Sequence, residues 1–144
     1  MYVELRKELQ DKVNALPIKY AFSKSQFREA MSELGLTEND TDKIIGIGAG
    51  GFVLKTEIEN IKSVFKEVNT RLKEALKDDA FCIEAIEEEL ANHEYCITHD
   101  SSDALEELGL SAKDERVKRL LKIARQNYIK KAIENKWGDY SYED

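Results

Sequence analysis

The chain holds two cysteines and two histidines, and three of these four, His93, Cys96 and His99, fall within seven residues. Zinc takes four nitrogen or sulfur ligands in a tetrahedron. Cys82, His93, Cys96 and His99 are therefore the one set that could build such a centre, and a small metal-dependent enzyme is the function it would serve. The spacing follows no finger pattern, so histidines satisfied near helix ends beside core cysteines are the expectation, with no metal and no cofactor. Glu89 and His93 stand four apart and can touch on one helix face, an arrangement suited to proton transfer. No nucleophile or oxyanion-hole signature joins them, so the chain is read as a non-enzyme.

The run Gly46-Ile47-Gly48-Ala49-Gly50-Gly51 matches a phosphate-loop spacing, and Phe52-Val53-Leu54-Lys55 continues it as a kinase glycine loop would. A kinase needs a metal-binding Asp and a catalytic loop that are missing here. A dinucleotide fold needs a helix opening at the third glycine, whereas Phe52-Val53-Leu54 favours strand. A hairpin is expected instead, because tight turns need positive φ.

Charge is segregated. The net charge is −7, yet residues 112–137 carry +6 and residues 1–111 carry −10. Glu84, Glu87, Glu88 and Glu89 form the densest acidic stretch, beside Asp78, Asp79 and Glu94. An acidic surface of this kind repels nucleic acid and attracts a basic partner. Glu84, Glu87, Glu88 and Glu89, with the hairpin tip Ala49, Gly50 and Gly51, are the expected partner-binding residues. On the last helix Lys118, Lys122 and Arg125 share a side and could contact phosphate. The opposing expectation, pairing of that helix with the acidic body, is stronger, so direct nucleic-acid binding is not expected. Trp137, Tyr140 and Tyr142 are aromatics of the type common at interfaces.

The elements that must position these residues follow from periodicity. At 144 residues with 42% hydrophobic and 35% charged residues, one domain, 1–144, is expected, with an acidic aromatic tail, 138–144, free to move. No apolar run is long enough to cross a membrane, and charges follow Met1-Tyr2-Val3 where a signal core would be. A cytoplasmic setting with reduced thiols is expected.

Apolar spacing predicts helices over 3–15, from Ser23 to Gly35, from Thr56 to about 77, over 80–92, from Ser101 or Ser102 to Gly109, and from Ser111 onward. Extended pieces are expected at 18–22 and 95–98, and a hairpin at 43–55. The class is α+β, predominantly helical: about six helices, a short β-hairpin and one or two further extended segments. Two stretches echo each other: Ala30–Thr37 and Ala104–Ser111 share the plan of short helix, glycine stop, leucine and hydroxyl. Shared cap chemistry accounts for that plan, with an old duplication as the alternative.

Several strings carry a resemblance together: Phe22-Ser23-Lys24-Ser25-Gln26-Phe27, Asp42 through Phe52, Glu89-Leu90-Ala91-Asn92-His93-Glu94-Tyr95-Cys96 and Leu108-Gly109-Leu110. Over roughly residues 5–112 the chain resembles a family of small uncharacterised proteins of Firmicutes prophages and mobile elements. Some proteins of this look are anti-CRISPR inhibitors of type II effector nucleases. The resemblance implies a phage or mobile-element protein-binding module whose partner is a CRISPR effector nuclease in a bacterial host cell. It implies no catalytic residues. An effector holds its heteroduplex in a positive channel, which an acidic surface could occupy. The alternatives are a nucleic-acid-binding accessory protein using Lys118, Lys122 and Arg125, and the metal-dependent enzyme described above.

Overall fold

The computed structural model describes residues 1–142. Helices α1 (Tyr2–Asn14) and α2 (Lys24–Glu33) flank a two-residue strand, β1 (Lys19–Tyr20). Strands β2 (Ile44–Gly48) and β3 (Gly51–Leu54) form the hairpin. Helices α3 (Ile58–Ala75), α4 (Asp79–Asn92), α5 (Tyr95–Thr98), α6 (Ser102–Glu107) and α7 (Glu115–Asn135) follow, then a 3-10 turn, Gly138–Tyr142. The α+β, mainly helical class holds, with seven α-helices among the described residues. Contacts divide the chain into two compact units: Met1–Glu8 with Asn69–Asp144, and Leu9–Val68.

In the unit Leu9–Val68 the sheet is antiparallel in the order β1-β3-β2. Lys19 lies opposite Phe52 and Tyr20 opposite Gly51, while Ile44 faces Leu54 and Ile45 faces Val53. The β2–β3 register is irregular between Gly46 and Gly48. Phe52 packs on Ala30 and Met31 of α2, with the Phe27 ring 5.3 Å from its own. Ser23 caps α2, its Oγ accepting from Gln26 N (3.2 Å), while Gln26 Oε1 accepts from Phe22 N (2.8 Å), one residue before the N–H that a capping box engages. Its end is a Schellman turn, with Leu36 N donating to Met31 O and Gly35 N to Ser32 O.

In the other unit α4 packs along α7. Cys82, Ala85, Ile86 and Leu90 meet Leu120, Leu121, Ala124 and Tyr128, with Ala104 and Leu105 of α6 and Leu108 just after it completing the core. Ile86, Leu90 and Leu120 are fully buried, and each such side chain contributes about 1.5–3 kcal/mol relative to exposure. The α6 end repeats the Schellman pattern, Leu110 N to Leu105 O and Gly109 N to Glu106 O. The two echoed stretches therefore share hydrogen bonding at their glycine stops.

Three local expectations are corrected. Residues 95–98 are not extended. They form one helical turn, α5, held by bonds from Ile97 N and Thr98 N to Glu94 O and from His99 N to Tyr95 O. Tyr128 Oη also accepts from Cys96 N at 3.1 Å. Thr56 does not cap α3; it lies inside a 3-10 turn, Lys55–Glu57. The starts of α6 and α7 are secured by carboxylates rather than serines. Asp100 Oδ1 accepts from Ser102 N, and Asp114 Oδ1 from Val117 N, because a charged acceptor satisfies an orphan helix N–H more strongly than a hydroxyl. Within the expected tail, Asp139 pairs with His99 (2.8 Å) and the Tyr140 ring lies edge-on to the His99 ring. Residues 143–144 of that tail lie outside the described residues.

Candidate functional site

The glutamates of α4 do not form an open acidic face. Glu89 is fully buried. Its Oε1 accepts from Tyr2 Oη at 2.7 Å and from Asn92 Nδ2 at 3.2 Å, with Arg6 Nε at 3.4 Å. Its Oε2 lies 3.3 Å from His93 Nε2, so the expected contact four residues apart on one helix is made. Glu84 Oε1 accepts from Tyr2 N (3.0 Å) and from the Met1 amine (2.9 Å), and these bonds hold its carboxyl below the usual range. Glu87 is nearly buried beside Lys131 Nζ (3.2 Å) and Asn127 Nδ2 (3.4 Å). Glu88 is half-buried. Of the expected partner-binding residues Glu84, Glu87, Glu88 and Glu89, burial closes Glu89 to a partner, while Glu84 and Glu88 keep part of their surface in solvent. Glu84, Glu87 and Glu89 each engage a donor from the chain itself.

The Cys82, His93, Cys96 and His99 set does not assemble either. Cys82 sits at zero exposure in the apolar core, where burial raises its thiol pKa. His93 turns to Glu89 and His99 to Asp139. Among the described residues no group of three or more His, Cys, Asp or Glu is placed to hold a metal ion.

Two neighbouring carboxylates, Asp79 and Glu87, take up part of the positive charge of α7. Arg116 and Arg119 both reach Asp79, at 2.8 and 3.2 Å, and Lys131 reaches Glu87. Of the residues singled out for phosphate, Lys118 pairs with Glu115 (3.1 Å), Lys122 is exposed and Arg125 is half-buried.

The hairpin is where the structure leaves apolar chemistry open. Ala49 (φ 52°) and Gly50 (φ 78°) both adopt positive φ between the paired Gly48 and Gly51, which is the two-residue turn whose twist suits a hairpin. The Phe22 ring lies so close over Gly50 that an added Cβ would sit 2.6 Å from it; Tyr20 and Ile47 flank Gly51 in the same way, at 3.1 and 3.0 Å. Yet Phe22 is 76% exposed, Tyr20 56%, Ile45 43% and Ile47 42%. Burial of Gly51, Phe52 and Val53 in the central strand contrasts with the exposure of every β2 residue except Ile44. As the outer strand of a three-stranded sheet, β2 has one side without a strand partner among the described residues. It carries no Lys, Pro or other charged residue across Ile44–Gly48, the devices that usually protect a sheet edge.

The hairpin tip Ala49–Gly51 is thus joined by four side chains absent from the expected set: Tyr20, Phe22, Ile45 and Ile47. A readable signal was the unbroken Ile44-Ile45-Gly46-Ile47 run, which puts isoleucine on both faces of a strand and so must expose some of it.

No curated protein and no solved structure matches the chain. The model of a family of unknown function, DUF7659, matches residues 1–127, a span that takes in α1 and the first part of the basic helix as well as the hairpin, and the chain belongs to that family.

Proposed function

We propose that this protein is a protein-binding module, with no reaction of its own, whose contact surface is the β2–β3 hairpin and the Tyr20–Phe22 segment beside it. The observation that carries the reading is the grouping of Tyr20, Phe22, Ile45 and Ile47, all exposed, around one glycine turn and one open strand edge. Keeping a phenylalanine in water forgoes roughly 1.5–3 kcal/mol of burial, and contiguous apolar patches on soluble proteins mark contact sites. The occupant that fits is an extended segment of a partner protein. It would add a strand to β2 through main-chain hydrogen bonds while placing apolar side chains against Ile45 and Ile47.

The resemblance to prophage proteins supplies the partner class: a type II CRISPR effector nuclease, with this chain as its anti-CRISPR inhibitor. The glutamates of α4 no longer support an acidic plug, so inhibition would run through the hairpin. Two experiments separate the layers of this reading. A photo-crosslinking residue at position 22 or 47, in cells of the natural host, should give a discrete protein adduct, while the same residue at Lys62 should not. Lack of adducts at 22 and 47 would remove the binding surface. Separately, purified guide-loaded type II effector should lose DNA cleavage with wild-type protein and regain it with Phe22→Asp/Ile47→Asp. Full cleavage in the presence of excess wild type would remove the inhibitor reading.

A further inference from the structure

Four cations of α7 are met by carboxylates: Arg116 and Arg119 by Asp79, Lys118 by Glu115 and Lys131 by Glu87. Arg125 is not. Its Nε is shielded from solvent and has no hydrogen-bond partner among the described residues. The side chains one turn away on the same helix are Leu121, Lys122, Tyr128 and Ile129, none of them an acid. No ion pair reaches Arg125 from another element among the described residues. A guanidinium keeps its charge at every ordinary pH, so it cannot relieve burial by losing a proton. Buried polar groups are almost always hydrogen-bonded, and an exception in a native fold marks a place for a water or an ion. For a buried cationic donor an anion is the better occupant, because it supplies the acceptor and the countercharge together.

A second observation sets the amount of charge required. Lys122 stands three residues before Arg125, a spacing that makes the two side chains neighbours on the helix surface. It is exposed, and no hydrogen bond or ion pair engages it among the described residues. Two unpaired cations side by side repel each other. One carboxylate would neutralise only one of them. A phosphate monoester carries about −1.5 to −2 charges near neutral pH and three acceptor oxygens. Two of those oxygens match the fork of Nε and one Nη of Arg125, and the third is left for Lys122. A long polyanion is disfavoured, because residues 1–111 carry −10 and repel it.

We propose that Arg125 and Lys122 form a binding site for a phosphate monoester group. The site lies in the unit that holds α4 and α7, whereas the hairpin belongs to the other, so it is independent of the hairpin as a contact surface.

The test is NMR of the isotopically labelled full chain at constant ionic strength, observing the backbone amides and the arginine Nε–Hε groups. The probes are inorganic phosphate and Nα-acetyl-O-phosphoserinamide, with acetate and a short thymidine oligonucleotide lacking a terminal phosphate as comparisons. Phosphate should shift the Arg125 Nε–Hε signal saturably, together with amides around 122–125. Arg125→Lys keeps the charge but removes the buried donor and should weaken phosphate at least about tenfold. Lys122→Ala, at an exposed position, should weaken it by about three- to fivefold and leave the rest of the spectrum in place. Tighter binding of the phosphoserine compound than of phosphate would support a phosphorylated partner residue as the source, and equal binding a free phosphate. An unmoved Arg125 Nε–Hε signal, an equal response to acetate, an oligonucleotide that binds as tightly as phosphate, or an unchanged affinity in Lys122→Ala would each overturn the proposal.

Discussion

The Tyr2 hydroxyl donates to Glu89 Oε1 at 2.7 Å across 87 residues of sequence, and both side chains are buried. A fully buried carboxylate is tolerated only when hydrogen bonds and a countercharge replace water. Here Tyr2 and Asn92 supply the bonds and Arg6 the charge. Tyr2→Phe keeps the ring in its edge-on contact with Phe81 but removes one donor from a buried anion. A loss of about 1–3 kcal/mol is expected, read as a lower urea midpoint. Glu89→Lys places an ammonium beside Arg6 and His93 and should cost more than about 4 kcal/mol. In a charge-reversal scan of Glu84, Glu87, Glu88 and Glu89, the Glu89 variant would therefore report unfolding rather than lost binding. Circular dichroism of each single variant separates the two effects.

Burial and hydrogen bonding to Glu89 push the Tyr2 pKa up; burial, then Cys96, pushes up Tyr128; burial raises the Cys82 thiol. In each case the fold favours the neutral form, so the folded protein holds these protons more tightly than the unfolded chain. Their contribution is complete below the unfolded values, near 8.5 for the thiol and 10 for the phenols. It declines as pH rises past them, because the unfolded chain then ionises first. Stability should fall steadily between about pH 9 and pH 11, and Tyr2→Phe should show a shallower fall than the parent. Urea midpoints across that range check both, and a flat parent profile would contradict the assignment.

The hairpin turn contains a residue with an avoidable strain. Ala49 holds φ 52°, a region where a Cβ costs about 1–2 kcal/mol. Asparagine is the preferred residue at this first turn position. Ala49→Asn should stabilise the unit by about 0.5–1 kcal/mol. Gly50→Ala should destabilise it by about 1–2 kcal/mol and must also displace the Phe22 ring, since its new Cβ would lie 2.6 Å from that ring. Denaturation midpoints should rank Ala49→Asn above the parent and Gly50→Ala below it. If Phe22 contributes to partner contact, Gly50→Ala should also weaken crosslinking from position 47.

What was legible in the sequence is what local chemistry decides. The Ser23 cap, the glycine stops at Gly35 and Gly109, the hairpin and the apolar stripe of α7 each depend on residues within one or two turns of one another. The Glu89–His93 contact was legible, but the bonds of Glu84 and Glu89 to Tyr2 and of Glu89 to Arg6 were not, because those partners lie more than eighty residues away. Density of glutamate along a chain says nothing about which side of a helix is covered. Residues 95–98 misled for a related reason: Cys96-Ile97-Thr98 favours strand locally, but the turn is fixed by Tyr95 packing on Tyr128 and by the Tyr128 hydroxyl. Phe22 departs from a common local pattern. An apolar residue before a helix cap usually packs on the first turn, whereas this one stands in solvent over Gly50.

Arg116 ties the end of α3 to the start of α7. Its Nη2 donates to Leu76 O at 2.8 Å and Lys77 O at 3.0 Å, and its Nε donates to Asp79 Oδ1 at 2.9 Å. The carbonyls are among those a helix C-terminus leaves without an internal partner. Arg119 joins at Asp79 Oδ2, and together the two guanidiniums hold the Asp79 carboxyl below its usual range. Lysine carries one charged centre and cannot span two carbonyls and a carboxylate in a plane. Arg116→Lys should therefore lose nearly as much stability as Arg116→Ala, about 1–2 kcal/mol, whereas Arg119→Lys should lose far less because that pair is exposed and screened by solvent. Asp79→Asn should remove most of the acid sensitivity this pair contributes. A carboxylate held below its ordinary value adds stability above the unfolded pKa and loses it as pH falls through the folded one. Parallel urea titrations of the four variants at neutral pH and near pH 3 test the whole arrangement, and equal losses for Arg116→Lys and Arg119→Lys would show that charge alone, not the guanidinium fork, holds the junction.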